Sequence, residues 1–242
     1  MNICLFENEE INQPLPLSDE RAEHIVKVLH KKPGDTFTAG IVGGKSGIAT
    51  IVSMDGGITF TFEPTGDGKP LKPLKMIIGF PRPIQLKRLL RDIAALGVCE
   101  VHLTGTELGE KSYMQSNLVE RGSAYKMLLD GTVQAGSTHV PELFLHKTLK
   151  DCLDEVIGHS KETVFLALDN VNPACSLTNA MKAETKSVVA AIGSERGWTD
   201  KERKLLEDNG FIRCGMGERI MRTETAATVA GSIILASMGE LE

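Results

Sequence analysis

The sequence lacks any apolar run long enough to cross a bilayer, and its start, MNICLFENEE, has neither the basic residues nor the apolar stretch of a secretion signal. The expectation is a cytoplasmic protein without a membrane partner. Cysteine is sparse. Cys4, Cys99, Cys152, Cys175 and Cys214 are odd in number, scattered and never spaced C-x-x-C, so neither a disulfide framework nor a zinc site is suggested. Buried, reduced thiols and no bound metal are expected. The chain also has no G-x-S-x-G, H-E-x-x-H or G-x-G-x-x-G, which removes the commonest esterase, zincin and dinucleotide signatures. AGIVGGKS approaches a P-loop but has Ala39 where the first glycine should stand. It precedes the strand-like GIATIVSM, where a P-loop must open a helix, so it reads as a hairpin turn. Finally, there is no excess of positive charge: 27 Lys and Arg stand against 32 Asp and Glu, a net charge of −5. Phosphate contacts need clustered cations, so any nucleic-acid site must be a local patch.

What is present is ordinary globular material. The chain has 242 residues, of which 41% are hydrophobic and 24% charged, enough for a sizeable core in a small domain plus a medium one. Up to about Glu63 the pattern is of short strands (ICLF, DTFTAGI, SGIATIVSM, ITFTFE) punctuated by Gly43-Gly44 and Gly56-Gly57. One helix interrupts them, with Ser18 as candidate N-cap and Pro33-Gly34 as its stop. PTGDGKPLKP, residues 64–73, reads as an interdomain linker, giving domains of residues 1–70 and 71–242. Beyond it strands alternate with helices: LKMIIGF, a helix from Ile84 to Leu96, VCEVHL, a helix from Ser116 to Gln134, then TVFLALD, SVVAAIG and FIRCG. This predicts an α/β domain with a mostly parallel sheet covered on both faces. Thr199 with Glu202 predicts a capping box, Asn209-Gly210 a stop, and the last helix, Glu224 to Met238, is rich in small residues.

Three segments carry candidate chemistry. IGSERGWTDKE, residues 192–202, puts two glycines and a carboxylate between a buried strand and a capped helix, where backbone amides can reach a ligand. GMGERIMRTETAA, residues 215–227, repeats that arrangement before the last helix. RPIQLKRLLRDIAALG joins the cations Arg82, Lys87, Arg88 and Arg91 to an apolar stripe; with Lys27, His30 and Lys31 of the first helix they are the candidate RNA contacts. Each segment alone also fits a plain structural turn or a solvated face.

Taken together, IGSERGW and GMGERIMRTETAA resemble the paired C-terminal motifs of the bacterial 16S ribosomal RNA uridine-N3 methyltransferases, the RsmE type of the SPOUT superfamily. HIVKVLHKKPGD, LKRLLRDIAALGV and QAGSTHVPEL extend the resemblance over nearly the whole chain. The resemblance implies a small PUA-like RNA-binding β-barrel followed by a SPOUT domain with a C-terminal trefoil knot, acting as a homodimer on ribosomal RNA of the small subunit or its assembly intermediate. It implies S-adenosylmethionine as cofactor, held by Leu168, Ile192, Gly193, Glu195, Gly197, Met216, Gly217, Ile220, Met221 and Arg222. Arg222 is also the candidate catalytic residue, placed to stabilise the uracil anion. The chain departs from the family's usual G-P-E-G-G at Ser194 and Arg196, and has Ala95 and Ser137 where a Glu and an Arg are usual. Those changes leave open a non-catalytic RNA-binding or ribosome-assembly protein, or a methyltransferase for another RNA base.

Overall fold

The structure is a computed structural model describing residues 2–115, 122–157, 162–182 and 184–242. It divides into two compact units: Met1–Pro70 with Leu129–Val140, and Leu71–Leu128 with Pro141–Glu242. Among the described residues no helix is long and apolar enough to cross a membrane.

The first unit carries a four-stranded sheet of β1 (Cys4–Phe6), β2 (Thr36–Ile41), β3 (Lys45–Ser53) and β4 (Thr59–Asp67), in that spatial order. β1 runs parallel to β2 and the other pairings are antiparallel. Alternation decides the faces: Phe37 and Ala39 of β2 are buried while Thr36 and Thr38 are exposed. The P-loop decoy is the β2–β3 hairpin, with Gly43 at φ +67. β4 runs further than the linker reading allowed, because its pairing with β3 continues through Pro64 to Asp67. Pro64 is tolerated because β4 is an edge strand. Only residues 68–71 remain as a connection.

The helix α1 (Glu20–Glu23) continues as a π-helical turn, His24–Val28. Its N-cap is Asp19 rather than Ser18: the Asp19 carboxylate accepts from Arg21 N at 2.8 Å. The carboxylate wins because it also takes the Arg21 side chain. Arg21 reaches Asp19 (2.9 and 2.8 Å), both oxygens of Glu10 (2.8 and 2.9 Å) and the Leu5 carbonyl (2.9 Å), with its guanidinium 4.9 Å from the Phe6 ring centroid. One cation thus ties β1, the following loop and α1 over a core of Phe6, Phe37, Phe60, Ile25, Ile51 and Ile58.

Among the described residues the second unit holds seven strands, all pairing parallel: β5 (Lys72–Gly79), β6 (Val98–Thr104), β7 (Glu142–His146), β8 (Thr163–Leu168), β9 (Cys175–Ser176), β10 (Ser187–Ile192) and β11 (Ile212–Gly215). Their spatial order is β7-β6-β5-β10-β8-β11-β9. Its helices are α2 (Pro83–Leu96), α3 (Lys111–Met114), α4 (Ser123–Ala135, of which residues 129–135 belong to the first unit), α5 (Leu149–Val156), α6 (Leu177–Ala180), α7 (Asp200–Asp208) and α8 (Thr223–Ser237). The predicted start of α4, at Ser116, lies outside the described residues. β7 and β9 were not anticipated: ELFLH has no clean alternation, and β9 has two residues.

Val188 to Ile192 are all buried, as expected of a central parallel strand. α2 turns Leu86, Leu89, Leu90 and Ile93 inward and ends at Gly97, φ +82. The predicted capping box of α7 is formed, with both the Thr199 and Glu202 bonds in place. The small residues of α8 are used within this unit: an added Cβ on Gly231 would sit 3.2 Å from Leu96 of α2 and 3.8 Å from Met76 of β5.

Two outcomes follow. Hydrogen bonding from Arg21 holds the Glu10 and Asp19 carboxyls below their ordinary values of 4.5 and 3.8. A depressed carboxylate stabilises the fold above its ordinary value, and that stabilisation is lost as pH falls through the folded-state value. Urea midpoints recorded from neutral pH downward should therefore fall in acid more steeply for wild type than for Arg21→Met; equal slopes would remove Arg21 as the cause. Separately, Gly79→Ala would place a Cβ 2.5 Å from Ser194 N. It should cost about 1–3 kcal/mol in denaturant unfolding, and an unchanged midpoint would show that the loop yields freely.

Candidate active site

The insertion of β10 between β5 and β8, and of β11 between β8 and β9, brings three carboxyl ends side by side. In open parallel sheets such ends are where ligands bind. The ends are Ile192 with the loop to Thr199, Leu168-Asp169, and Gly215 with the loop to Arg222.

The first loop is a tight turn. Gly197 N donates to Ser194 O at 2.8 Å, Gly197 has φ +72, and a Cβ on Gly193 would lie 3.0 Å from the Gly197 carbonyl carbon. It is anchored from two directions. Buried Trp198 donates its indole N–H to Leu168 O at 3.2 Å, and the Thr223 hydroxyl at the start of α8 donates to Gly193 O at 3.3 Å. Both glycine loops are thereby fixed to each other and to β8. The buried Ser194 hydroxyl finds no partner among the described residues.

Between the loops lies a cavity of about 330 Å³. Leu168, Ile192, Gly193, Glu195, Gly197, Met216, Gly217, Ile220 and Met221 all line it. Arg222 is exposed at the N-cap of α8 and is not part of the lining. The reading of the sequence missed Asp169, Arg203, Arg219 and Thr223, which do line it. Asp169, with its side chain 2% exposed, accepts from Arg203 Nε at 2.7 Å and from Val171 N at 3.0 Å, and lies 3.6 Å from Arg213. The Asp169 bond pushes the Arg203 guanidinium further up. Ion pairing at a strand end could have been suspected from TVFLALD closing on an aspartate, but the partner arginines lie 34 and 44 residues on.

A smaller cavity of about 130 Å³ adjoins the first, sharing Ser194, Glu195 and Arg196 and adding Phe80, Arg82, Leu108 and Tyr113. Arg82 Nε is 3.3 Å from Glu195, and bonding to Tyr113 raises the Arg82 guanidinium. Arg196, the cation that the first loop gains, pairs with Glu110 at 3.1 Å. Glu202 accepts from Glu107 N at 2.9 Å, and the Thr199 hydroxyl donates to Glu107 at 2.7 Å, so α7's cap also holds the loop after β6.

Of the candidate RNA contacts, Arg82 lines the smaller of these two cavities, and Lys31 lines a separate cavity of about 290 Å³ in the first unit. Lys87, Arg88 and Arg91 are exposed on α2. In the first unit Lys27 is exposed and paired with Glu23, His30 is exposed at φ +51, and Lys31 is half-buried. Ser137 serves the first unit structurally, donating to Lys69 O at 3.0 Å, while Ala95 is exposed.

Comparison with known proteins agrees with this geometry. A family model described as an RNA methyltransferase domain matches residues 68–235. The chain is 40% identical to the ribosomal RNA small subunit methyltransferase E of Treponema pallidum, over 98% of this chain and 91% of that protein. It is 34% identical to ribosomal RNA small subunit methyltransferase E 1 of Borreliella burgdorferi, over 98% of both. The fold is also that of the ribosomal RNA small subunit methyltransferase E from Neisseria gonorrhoeae, solved bound to S-adenosyl methionine: TM-score 0.79, 22% identity, 98% of this chain and 97% of that one. Two glycine loops at neighbouring strand ends, the domain match and these full-length similarities lead to one conclusion: the chain belongs to the ribosomal RNA small subunit methyltransferase E family of RNA methyltransferases.

Proposed function

We propose that this chain transfers a methyl group from S-adenosylmethionine to N3 of a uridine in 16S ribosomal RNA, working in the cytoplasm as a homodimer on the small subunit or its assembly intermediate. On this reading residues 71–242 are a SPOUT-type knotted domain and residues 1–70 a PUA-like RNA-binding barrel. The observation that carries the reading is the cavity where the ends of β8, β10 and β11 meet, lined by nine of the residues expected to hold the cofactor.

The residues suit such a guest. Leu168, Ile192, Met216, Ile220 and Met221 give apolar walls for an adenine, and Gly193, Gly197 and Gly217 carry no side chain to block a close approach to the backbone. The Glu195 carboxylate offers an acceptor for hydroxyl or ammonium groups, and the Ser194 hydroxyl, without a partner among the described residues, stands in the same loop. When bound, S-adenosylmethionine supplies a methyl group activated by its sulfonium.

The chain's own contribution is to hold the base and the charge it develops. A uracil N3 must lose its proton before it can act as a nucleophile, and the resulting anion is stabilised by fixed cations. The smaller cavity is the candidate seat for the extruded base, with Tyr113 as a stacking face and Arg82 and Arg196 at hand. Arg222, exposed beside Thr223, is assigned to the anion. Lys87, Arg88 and Arg91 on α2, with Lys27, His30 and Lys31 in the first unit, are assigned to phosphate contacts.

Titration calorimetry with S-adenosylmethionine and S-adenosylhomocysteine should show saturable binding that Gly193→Val and Gly217→Val abolish; folded wild-type protein that binds neither overturns the reading. Arg222→Ala should keep cofactor affinity and lose about 10²-fold in methylation of small-subunit RNA, the size typical of one lost anion-stabilising donor. Full turnover by that variant would reassign Arg222, and tight RNA binding by wild type without turnover would favour the non-catalytic alternative.

A further inference from the structure

Away from both cavities, a buried cluster lies between the outer strands of the second unit and α5. His102 comes from β6 and His146 from the end of β7; the register pairs His102 with Phe144 and Thr104 with His146, so both histidines belong to one face of the sheet. Their rings meet edge to edge and nearly coplanar, centroids 5.2 Å apart at 19°, with His102 Nδ1 3.0 Å from His146 Nε2. Cys152, fully buried on α5, covers that face, and one nitrogen of each ring and the Cys152 sulfur lie within 4.8 Å of one another.

The outer nitrogens face carboxylates. His102 Nε2 is 3.1 Å from Glu100, itself paired with Lys75 at 2.7 Å, and His146 Nδ1 is 3.7 Å from Glu155. The row carboxylate–imidazole–imidazole–carboxylate has three gaps between acceptors, whereas two neutral imidazoles carry two N–H groups. If those hydrogens face the carboxylates, two lone pairs meet at the centre beside a sulfur. Carboxylates that orient the far nitrogen are what metal-ligating histidines have.

We propose that His102 Nδ1, His146 Nε2 and Cys152 Sγ bind a thiophilic divalent transition metal ion, zinc in first place, clamping β6, β7 and α5 together. A tetrahedral zinc holds two imidazole nitrogens about 3.3 Å apart, so the rings need part by about 0.3 Å and turn so that both lone pairs converge on the ion. Cys152 enters as thiolate, releasing its proton to solvent, and water takes the fourth position. Imidazole and thiolate donors select such an ion over magnesium or calcium. Sequence spacing hid the set because the ligands come from two strands and a helix. His102, His146 and Cys152 line neither cavity, so the ion is assigned no part in methyl transfer.

The test is titration of chelator-stripped protein with cobalt(II), followed by absorption. One equivalent should bind with tetrahedral ligand-field bands and a thiolate-to-cobalt charge-transfer band, and zinc should displace it. Cys152→Ser should lose the charge-transfer band, and Glu100→Gln, which leaves all three ligands in place, should weaken binding about 10–100-fold. Folded wild-type protein that takes up no cobalt, or binds it without the thiolate band, overturns the proposal. So does a charge-transfer band that survives in Cys152→Ser. The wild-type spectrum decides the matter even where a variant fails to fold.

Discussion

A parallel strand cannot be followed directly by its parallel neighbour; a crossover must return the chain first, and where it returns decides which strand ends become neighbours. Here β5, β6 and β7 build outward in one direction, and the chain then comes back to lay β8 before β10 is inserted beside it. Late insertion of β10 and β11 on either side of β8 is the constraint on which the cavity depends. Had the strands been laid in sequence order, the loops after Ile192 and Gly215 would not flank Leu168. The buried run Val188–Ile192 is a requirement of that position, since a strand paired on both edges and covered on both faces has no solvent side.

Convergence alone would leave loose loops, and the side chains that stiffen them act over very short reach. The Thr223 hydroxyl on Gly193, the Trp198 indole on Leu168 and the approach of Gly79 to Ser194 each fix one side of the turn at residues 193–197. Each partner belongs to a different element, so the turn is over-determined. A site held this way is preorganised, and ordering it upon binding costs little additional entropy.

How much of this was legible in the sequence depends on the range of the interaction. Short-range signals were readable: the Thr199–Glu202 capping box, the stop at Gly210, the apolar stripe of α2 and both glycine loops have their cause within a few residues. Asp19 displaced Ser18 as a cap because Arg21 is also held by Glu10, which lies eleven residues away and has no local signal. β4 overran the Pro- and Gly-rich linker because pairing with β3 outweighed local turn propensity. Asp169 with Arg203, the smaller cavity and the His102–His146–Cys152 cluster have no periodicity at all; they exist only once the strand order is set. The grouping of residues 129–140 with the first unit is of the same kind, since nothing local in α4 marks where its contacts change.

The acidic net charge sharpens what the cations near the cavities can do. Arg196 and Glu110 have side chains 66% and 51% exposed, and an exposed pair of that sort contributes about 0–1 kcal/mol. Exchanging Glu110 for a phosphate or an anionic base would cost the fold almost nothing, and the same holds for Arg82, 63% exposed and shared between Glu195 and Tyr113. Arg203 is different: its side chain is 15% exposed and tied to buried Asp169, so drawing it toward a ligand would take from that carboxylate its shortest bond and leave it Val171 N and the more distant Arg213. Burial therefore sorts the arginines by role. Arg203 holds the cavity wall, while Arg82 and Arg196 line the smaller cavity beside it, each paired with a carboxylate.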